Sequence, residues 1–291
     1  MKLYRIELEL KSPLVTPLKG DTIWGHFAWG IANHEGDEGI AKFIEDCKKD
    51  SPAFIVSSAF PHGYICKQMY EPNVRTDSLD ANSYAEIKKL KKQKYEKASD
   101  YLDTKAKDSG KPEEVFVKEL HAHNSISRVS GTVNEGSLYA VEELWSKEKT
   151  FDLYVLSDYS KELILEITGW AFENGFGADS STGKGAITLH DTIEEVLPKK
   201  QSNKYMALAP FIVPDMNKIQ NLRADIFVRS GKIGGAFVSS LAPWKKSVVL
   251  YDEGAVFEST ERIEYIGTLL SNMHADKRIV QSAFAPVIPI E

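Results

Sequence analysis

Cysteine is scarce in this chain, and the two that occur, Cys47 and Cys66, lie far apart in the sequence. Two isolated cysteines form neither a zinc-binding pattern nor a disulfide framework, which excludes a small fold held together by such links. Long apolar runs are missing as well, since no stretch of about 18 apolar residues and no signal-peptide pattern occurs. We therefore expect a soluble, cytoplasmic globular protein with one large or two medium domains.

Basic charge is in short supply. The chain has 36 Lys and Arg against 42 Asp and Glu, which gives a formal net charge of -6. A free-standing nucleic-acid-binding protein is usually basic, so this balance counts against one. The exception is the Lys-rich segment 82–111, which is either a solvated charged helix or mobile insertion, or a basic arm for nucleic acid.

The common nucleotide-binding and catalytic motifs are absent, including the GxSxG, kinase and Rossmann signatures. The segment FGADSSTGKGAITL (176–189) comes nearest to a P-loop, but five residues instead of four separate Gly177 from Gly183. Gly185 stands where Ser or Thr should follow Lys184. The flanks run helix, loop, strand, whereas a P-loop leads into a helix N-terminus. The segment is either a plain connection or a loop whose backbone N–H groups and one Lys contact phosphates.

Apolar periodicity predicts most elements of the first two thirds of the chain. The predicted elements, in order, are a strand over MKLYRIELEL, a helix over DTIWGHFAWGIA capped by Asp21, a short helix over EGIAKFIEDCKK, a strand over AFIVSSAF, a hairpin over HAHNSISRVSGTVNEGSLYAVEELW, a strand over FDLYVLSD, a helix over KELILEITGWAFENGF with Gly175 and Gly177 as its stops, and a strand over AITLHD. This is the β-α-β-β-α-β ferredoxin-like order with a large insertion after the second strand.

The last third follows a polar linker, VLPKKQSN, and reads mainly as β structure. IFVRSGKIGGAFV and VVLYDEGAVFE are predicted as hairpins with Gly-bearing turns, YIGTLLSNM as a short helix and AFAPVIPI as a terminal strand. There is no clean internal repeat, and this part is open to interpretation as a degenerate copy of the first.

The histidines offer two readings. His121 and His123 share one face of a predicted strand, but a zinc site needs three or four ligands and no third is evident. A metal-independent ribonuclease needs a His to accept the 2′-OH proton and a cation to stabilise the pentacoordinate state. His26 or His123 with Lys184 would supply these groups, and the sequence leaves their proximity open.

Several segments taken in order resemble one family. They are LYRIELEL followed by DTIWGHF, SSAFP, HNSISRVSGTVNEGSLY, FGADSSTGKGAITL and HADKRIVQSAFAPVIPI. Together they resemble a RAMP protein, namely the subunit of type III-A CRISPR effector (Csm) complexes that holds the 5′ end of the guide RNA. The sequence departs from this family at GYICKQ, where relatives have a Pro-rich end to the second hairpin.

The resemblance implies an α+β fold with two ferredoxin-like (RRM-type) domains. The first spans residues 1–197, with an insertion at 62–150 that holds the charged segment and a β-hairpin thumb, and with the Gly-rich loop at 175–185. The second spans 198–291 and is more β-rich and degenerate. The implied partners are the 5′ tag of the guide RNA (crRNA), the large polymerase/cyclase-type subunit and the backbone RAMP subunits, with no membrane, metal or cofactor.

The resemblance also implies that the chain binds RNA without cleaving it. By position, the RNA-binding residues are Lys19, Asp21, Trp24, His123, Asn124, Ser125, Ile126, Arg128, Gly177, Ser180, Ser181, Thr182, Gly183, Lys184 and Gly185. A single-stranded tag would be held by backbone N–H groups and cations at phosphates, with stacking on splayed bases. Two rivals stay open: a RAMP endoribonuclease that processes guide precursors, and a protein-interaction module whose Gly loop binds nothing.

Overall fold

The computed structural model describes residues 1–69, 88, 92–107, 115–133, 136–234 and 243–291. The helices are α1 (Gly20–Lys48) and α2 (Lys161–Phe172), and the strands are β1 (Lys2–Leu10), β2 (Phe54–Pro61), β3 (Tyr64–Cys66), β4 (Tyr95–Lys97), β5 (Leu102–Asp103), β6 (Phe116–His123), β7 (Tyr139–Ser146), β8 (Thr150–Ser157), β9 (Ile187–Pro198), β10 (Lys204–Ala207), β11 (Ile219–Arg223), β12 (Ile226–Arg229), β13 (Val248–Tyr251), β14 (Val256–Ser259), β15 (Tyr265–Leu270) and β16 (Gln281–Pro289). No helix in these ranges combines the length and hydropathy needed to cross a lipid bilayer.

The first sheet has the antiparallel order β2-β8-β1-β9-β5. Its central strand β1 buries Tyr4, Ile6, Leu8 and Leu10, as the alternating pattern predicts. Helix α1 follows β1 and α2 follows β8, and the two helices pack against each other. The predicted order of strand, helix, strand, insertion, strand, helix, strand is therefore confirmed.

Helix α1 joins the two helices predicted for residues 21–32 and 38–49. Gly36, at φ 71°, breaks its regular geometry and marks the boundary between them. The predicted cap at Asp21 is wrong, because the helix begins at Gly20 and Lys19 occupies the N-cap position without a side-chain cap bond. Asp21 is instead a buried residue of the first helical turn, and its carboxylate binds Arg229.

The insertion contains small antiparallel ribbons. Strand β3 pairs with β4, and β6 pairs with β7 as the predicted long hairpin. Within the Lys-rich segment 82–111 the structure describes residues 88 and 92–107. Residues 95–103 form strands β4 and β5 with a 3-10 turn between them, so a charged helix is wrong over those residues, and a basic arm for nucleic acid stays a prediction.

The second five-stranded sheet has the order β11-β14-β10-β16-β15. In the described part of residues 198–291 there is no α-helix, and the helix predicted for YIGTLLSNM is wrong. That segment is β15, which pairs with β16 from Tyr265 opposite Pro286 to Leu270 opposite Gln281. The predicted hairpin VVLYDEGAVFE is wrong in its pairing, because β13 pairs with β12 while β14 pairs with β10 and β11. The second arm of the other predicted hairpin, IFVRSGKIGGAFV, lies outside the described residues.

The larger of two apolar clusters joins the two halves of the chain, while the smaller one belongs to the second half. Side chains of β16, such as Phe284 and Ile288, belong to the same buried cluster as Ile6 and Phe27. Helix α1 packs on β16 as well as on β2, so it lies between the two sheets. Strand β9 continues to Pro198, which leaves only residues 199–203 as the connection, and the division at residue 197 stays a prediction.

Candidate nucleic-acid interface

The Gly-rich loop is closed upon itself and tied to the segment after β1. The Phe176 N–H donates to Gly185 O (2.8 Å), and the Gly185 N–H donates to Pro13 O (2.8 Å). Downstream of Phe176, the Ala178 N–H donates to Thr16 Oγ1 (3.0 Å). The loop therefore has a fixed shape, set by residues that precede α1 and by the end of α2.

Most backbone N–H groups of the loop are already used. The N–H groups of Thr182, Gly183 and Lys184 donate to carbonyls within the 3-10 turn that starts at Asp179. Among the described residues, only three consecutive loop N–H groups after Ala178 donate no hydrogen bond, those of Asp179, Ser180 and Ser181. Of the loop N–H groups predicted to contact phosphates, these three, on the exposed outer side of the loop, are therefore the ones available to do so.

His26 holds the loop in place and is not arranged as a general base. Its Nε2 accepts a hydrogen bond from the Gly177 N–H (3.1 Å), and its ring packs on Phe176 with centroids 4.7 Å apart. Burial lowers the pKa of His26 to about 4, although a hydrogen bond with the Ala171 backbone opposes that shift. At neutral pH the imidazole is therefore neutral and its Nε2 lone pair is occupied.

We expect His26 to make the stability of the chain fall in acid. The folded state resists protonation down to about pH 4, whereas the unfolded chain binds a proton near the ordinary His pKa of about 6.5. The free energy of unfolding should therefore be constant above that range and fall by about 3 kcal/mol on acidification through it. Urea unfolding at several pH values measures this. His26→Gln, which keeps an acceptor but does not titrate, should lose that part of the slope; an equal slope in both proteins contradicts the assignment.

Lys184 links the loop to the hairpin formed by β6 and β7. Its Nζ lies 2.5 Å from Glu143 Oε1 and 5.9 Å from the ring centroid of Trp145, both on β7. The Glu143 side chain is only 1% exposed, and the hydrogen bond from Lys184 lowers its carboxyl pKa. Lys184 is thus neutralised by a buried carboxylate, so its contact with a phosphate stays a prediction that would require this pair to open.

The hairpin projects its predicted thumb residues away from the core. Asn124, Ser125 and Arg128 are exposed, and Ile126 is 63% exposed with only a bridge to Val133 across the ribbon. Ile126 therefore does not pack back onto the domain. An exposed apolar side chain between polar neighbours suits insertion into a nucleic-acid strand.

The other three predicted site residues lie at the start of α1, where the halves of the chain meet. Lys19 Nζ lies 2.5 Å from Asp252 Oδ1 and 2.8 Å from Glu253 Oε1. Asp21 accepts two hydrogen bonds from Arg229, at 2.6 and 2.9 Å. These groups satisfy one another, so their placement favours a role in joining the halves over phosphate binding.

Trp24 belongs to the core and not to a binding surface. Its side chain is 2% exposed and stacks on Phe43 with centroids 5.4 Å apart. A base would reach the indole only after the helix had moved. Its predicted contact with RNA is therefore incompatible with the folded structure.

Three residues that the sequence did not single out complete the interface. Thr16 anchors the loop together with His26, which the sequence offered only as a candidate base, and Glu143 and Trp145 form the site on which Lys184 lies. The only signal in the sequence was the alternation of β7, which places Glu143 and Trp145 on one face. The partner loop is distant in sequence, and no local pattern connects the two.

One group of three side chains in the described ranges has the spacing of metal ligands, namely Glu7, His62 and Asp152. The Arg5 guanidinium lies 2.9 Å from Asp152 and 3.7 Å from Glu7. A cation already occupies the centre of this cluster, and the hydrogen bond to Asp152 raises the pKa of His62. The group is accounted for as a buried ion network.

No protein-family model matches the chain, and no curated protein matches its sequence. Solved structures match over nearly the full length. A crystal structure of the Csm1-Csm4 cassette in complex with cA4 contains a chain with a TM-score of 0.61 at 15% identity, with 99% of this chain and 98% of that chain covered. The Csm3-Csm4 subcomplex of the type III-A CRISPR-Cas interference complex gives a TM-score of 0.53 at 11% identity, with full coverage of both. The component common to these structures is Csm4. The chain has the Csm4 fold.

A second Csm1-Csm4 cassette, in complex with pppApA, matches with a TM-score of 0.57 at 15% identity and the same coverage. Because the sequence identities are this low, the structural similarity establishes the fold of the chain but not its activity or binding. At the level of fold, the resemblance to the Csm subunit is confirmed, as is a mixed α/β, strand-rich architecture with few helices. In this Csm4-like fold the Gly-rich loop and the hairpin are neighbours, although 41 residues separate Glu143 from Lys184.

Proposed function

We propose that this chain is a Csm4-like, non-catalytic subunit of a type III-A CRISPR ribonucleoprotein complex, in which it holds the repeat-derived 5′ tag of the guide RNA. The observation that carries the proposal is the structural likeness to chains of Csm4-containing complexes, which extends over 99% of this chain and 98% of the other. The exposed hairpin and the run of free N–H groups beside it supply chemistry that suits single-stranded RNA.

The proposed fold consists of two ferredoxin-like domains. In the first sheet the four main strands lie in the order β2-β8-β1-β9, with α1 and α2 as the two connections, which agrees with the β-α-β-β-α-β unit. The second sheet has five antiparallel strands and no α-helix in its described part. We interpret it as a degenerate copy that has lost its helices.

The proposed partners follow those of the similar structures. Csm4 is crystallised with Csm1 in one set and with Csm3 in another. We assign to this chain contacts of the same kind, with the large polymerase/cyclase-type subunit and with backbone RAMP subunits. In such a complex the net charge of -6 is no obstacle, because the RNA is shared by several subunits and only the local charge must attract it.

The rival function, cleavage of guide precursors, is not supported by the His-cation pairs that the sequence suggested for it, His26 or His123 with Lys184. His26 is buried and engaged by Gly177, and Lys184 is paired with Glu143. His123 stacks on Tyr139, with ring centroids 5.5 Å apart. General acid–base catalysis requires a titrating group within reach of the 2′-OH and a free positive charge at the phosphorus. The arrangement favours binding over cleavage.

The test is to purify the chain with its neighbouring subunits and sequence the bound RNA. We expect an intact guide RNA with one defined 5′ tag. A variant in which residues 124–138 are replaced by a short Gly-Ser turn removes the thumb tip but keeps β6, β7 and the Lys184–Glu143 pair. It should fold with stability within about 0.5 kcal/mol of the parent, because the tip contributes little burial, while nucleotides at the tag boundary become reactive to chemical probes.

Two results would count against the proposal. If the complex contains no guide RNA, or RNA without a common 5′ sequence, the chain is not a tag-binding subunit. If the tip variant leaves both RNA retention and the probing pattern unchanged, the hairpin is not a thumb. Cleavage of repeat-containing RNA by the purified chain, lost in His123→Ala, would favour the endoribonuclease.

A further inference from the structure

One face of the hairpin carries an aromatic strip that the thumb does not use. The register of β6 with β7 places His121, His123, Tyr139, Glu143 and Trp145 on the same face. We call it the inner face, because Lys184 of the Gly-rich loop lies against it, at Glu143 and Trp145. The strip runs from the loop toward the tip of the hairpin.

The aromatic rings of the inner face are exposed and already ordered. Tyr139 is 56% exposed and lies nearly parallel to His123, with an interplanar angle of 19°. Trp145 is 41% exposed, and the ring of His121 lies 6.1 Å from it. Two ring pairs, each with a solvent-accessible face, thus follow one another along the ribbon. Exposed rings held in this way are typical of surfaces that stack bases.

One polar atom of the inner face, Nε2 of His123, lacks a hydrogen-bond partner among the described residues. The other polar groups of this face hold one another, because His121 Nε2 lies 3.5 Å from Glu143 Oε2 and 3.4 Å from Glu119 Oε2. Buried polar atoms are normally satisfied, so the unpartnered nitrogen of His123 beside the exposed ring of Tyr139 is available to a ligand. An imidazole nitrogen matches the amino and ring-nitrogen groups on base edges.

The opposite face of the hairpin has a different character. Leu120, 75% exposed, pairs across the ribbon with Glu142, and Leu138 is 73% exposed beyond it. Aliphatic side chains of this kind offer neither flat rings nor base-edge partners. The contrast assigns nucleobases to the inner face alone and supplies a matched control position at Leu120.

We infer that the inner face is a stacking site for consecutive bases of single-stranded RNA, with one base on the Tyr139–His123 pair and the next toward Trp145. The backbone would then pass the free N–H groups of Asp179, Ser180 and Ser181 in the adjoining loop. This inference rests on the proposed function and adds to it, because it places bases along the side of the hairpin, below the tip that the family resemblance predicts as the thumb.

The test uses the full chain and a series of single-stranded oligoribonucleotides, each with 2-aminopurine at one position. Stacking of this base on a ring quenches its fluorescence, so titration gives both affinity and position. We expect quenching at adjacent positions in the parent. Tyr139→Ala should lose it at one position and bind about tenfold more weakly. Its salt dependence should not change, because no charge is removed. Tyr139→Phe and Leu120→Ala should resemble the parent.

The outcomes separate the inference from the proposed function. If the parent complex retains guide RNA but Tyr139→Ala binds and quenches like the parent, the inference is wrong and the proposed function is unaffected. If Leu120→Ala weakens binding as much as Tyr139→Ala, the effect belongs to the hairpin as a whole and the inference is again wrong. If the parent chain binds no oligoribonucleotide and its complex contains no RNA, both fail. Tyr139→Phe keeps the ring, so a loss of quenching in this variant points to a folding defect. In that case His123→Ala decides the question, because the inference requires it to abolish quenching at the same position.

Discussion

Replacing Gly185 with Ala is expected to destabilise the chain by about 3–5 kcal/mol. Gly185 has a φ of 65°, and a Cβ atom there would lie 2.0 Å from the carbonyl oxygen of Phe176. Phe176 is fully buried and its N–H donates to Gly185 O, so the backbone has no room to yield. The substitution must break this closure of the loop, and with it the position of Lys184 against the hairpin.

Gly183 provides the matched control. Its φ of 89° is also unfavourable for other residues, but a Cβ there meets nothing within 4 Å. Gly183→Ala should therefore cost only about 1–2 kcal/mol, the strain of a left-handed residue. Urea unfolding of both variants gives the comparison. Equal losses would mean that the close approach at Gly185 is not what fixes the loop. The close approach of backbone to backbone in this loop is at Gly185 and not at Gly183.

Local patterns predicted the first half of the fold well, for a physical reason. The alternation of β1 and the apolar stripe of α1 are properties of neighbouring residues, and each needs only one apolar face to be buried. The helix predicted for YIGTLLSNM, which forms β15, was wrong because this segment carries apolar residues at spacings that suit either a helix or a strand. Pairing with β16 makes the segment a strand, and the position of β16 beside it depends on the whole fold and cannot be predicted from the segment itself.

The candidate site was predictable in its parts but not in its assembly. The Gly loop and the hairpin are visible in the sequence as turn residues and alternating strands. The ion pair of Lys184 with Glu143 is not, because it joins segments that only the folded sheet brings together. The same holds for Trp24, whose position on the apolar stripe of α1 indicated the core, while the family resemblance indicated RNA.

Asp21→Ala is expected to cost about 3–5 kcal/mol, because it removes one partner of a buried ion pair and leaves the other charged. The Asp21 side chain is 1% exposed and binds the Arg229 guanidinium at 2.6 and 2.9 Å. Arg229 lies on β12, so the pair joins the start of α1 to the second half of the chain. Burial next to these groups lowers the pKa of Lys245 to about 8.

The loss of stability in Asp21→Ala should appear first as opening of the β12–β13 ribbon and not as unfolding of the first sheet. The ring of Phe227 on β12 has Lys19 Nζ and Arg229 Cζ each 5.0 Å from its centroid, so an unpaired Arg229 also disturbs this contact. Hydrogen exchange should therefore speed up in β12 and β13 at denaturant concentrations where β1 and β8 stay protected.

A double variant separates the ion pair from the packing around it. Asp21→Leu with Arg229→Met replaces both charges by apolar groups, and a buried pair exchanged in this way is often neutral in stability. We expect the double variant to be more stable than either Asp21→Leu or Arg229→Met alone, with a coupling free energy of about 1–3 kcal/mol from urea unfolding of the parent, the two single variants and the double variant. Additive losses in this cycle would mean that Asp21 and Arg229 act independently. Asp21 would then be free again for the RNA contact that the family resemblance assigns to it.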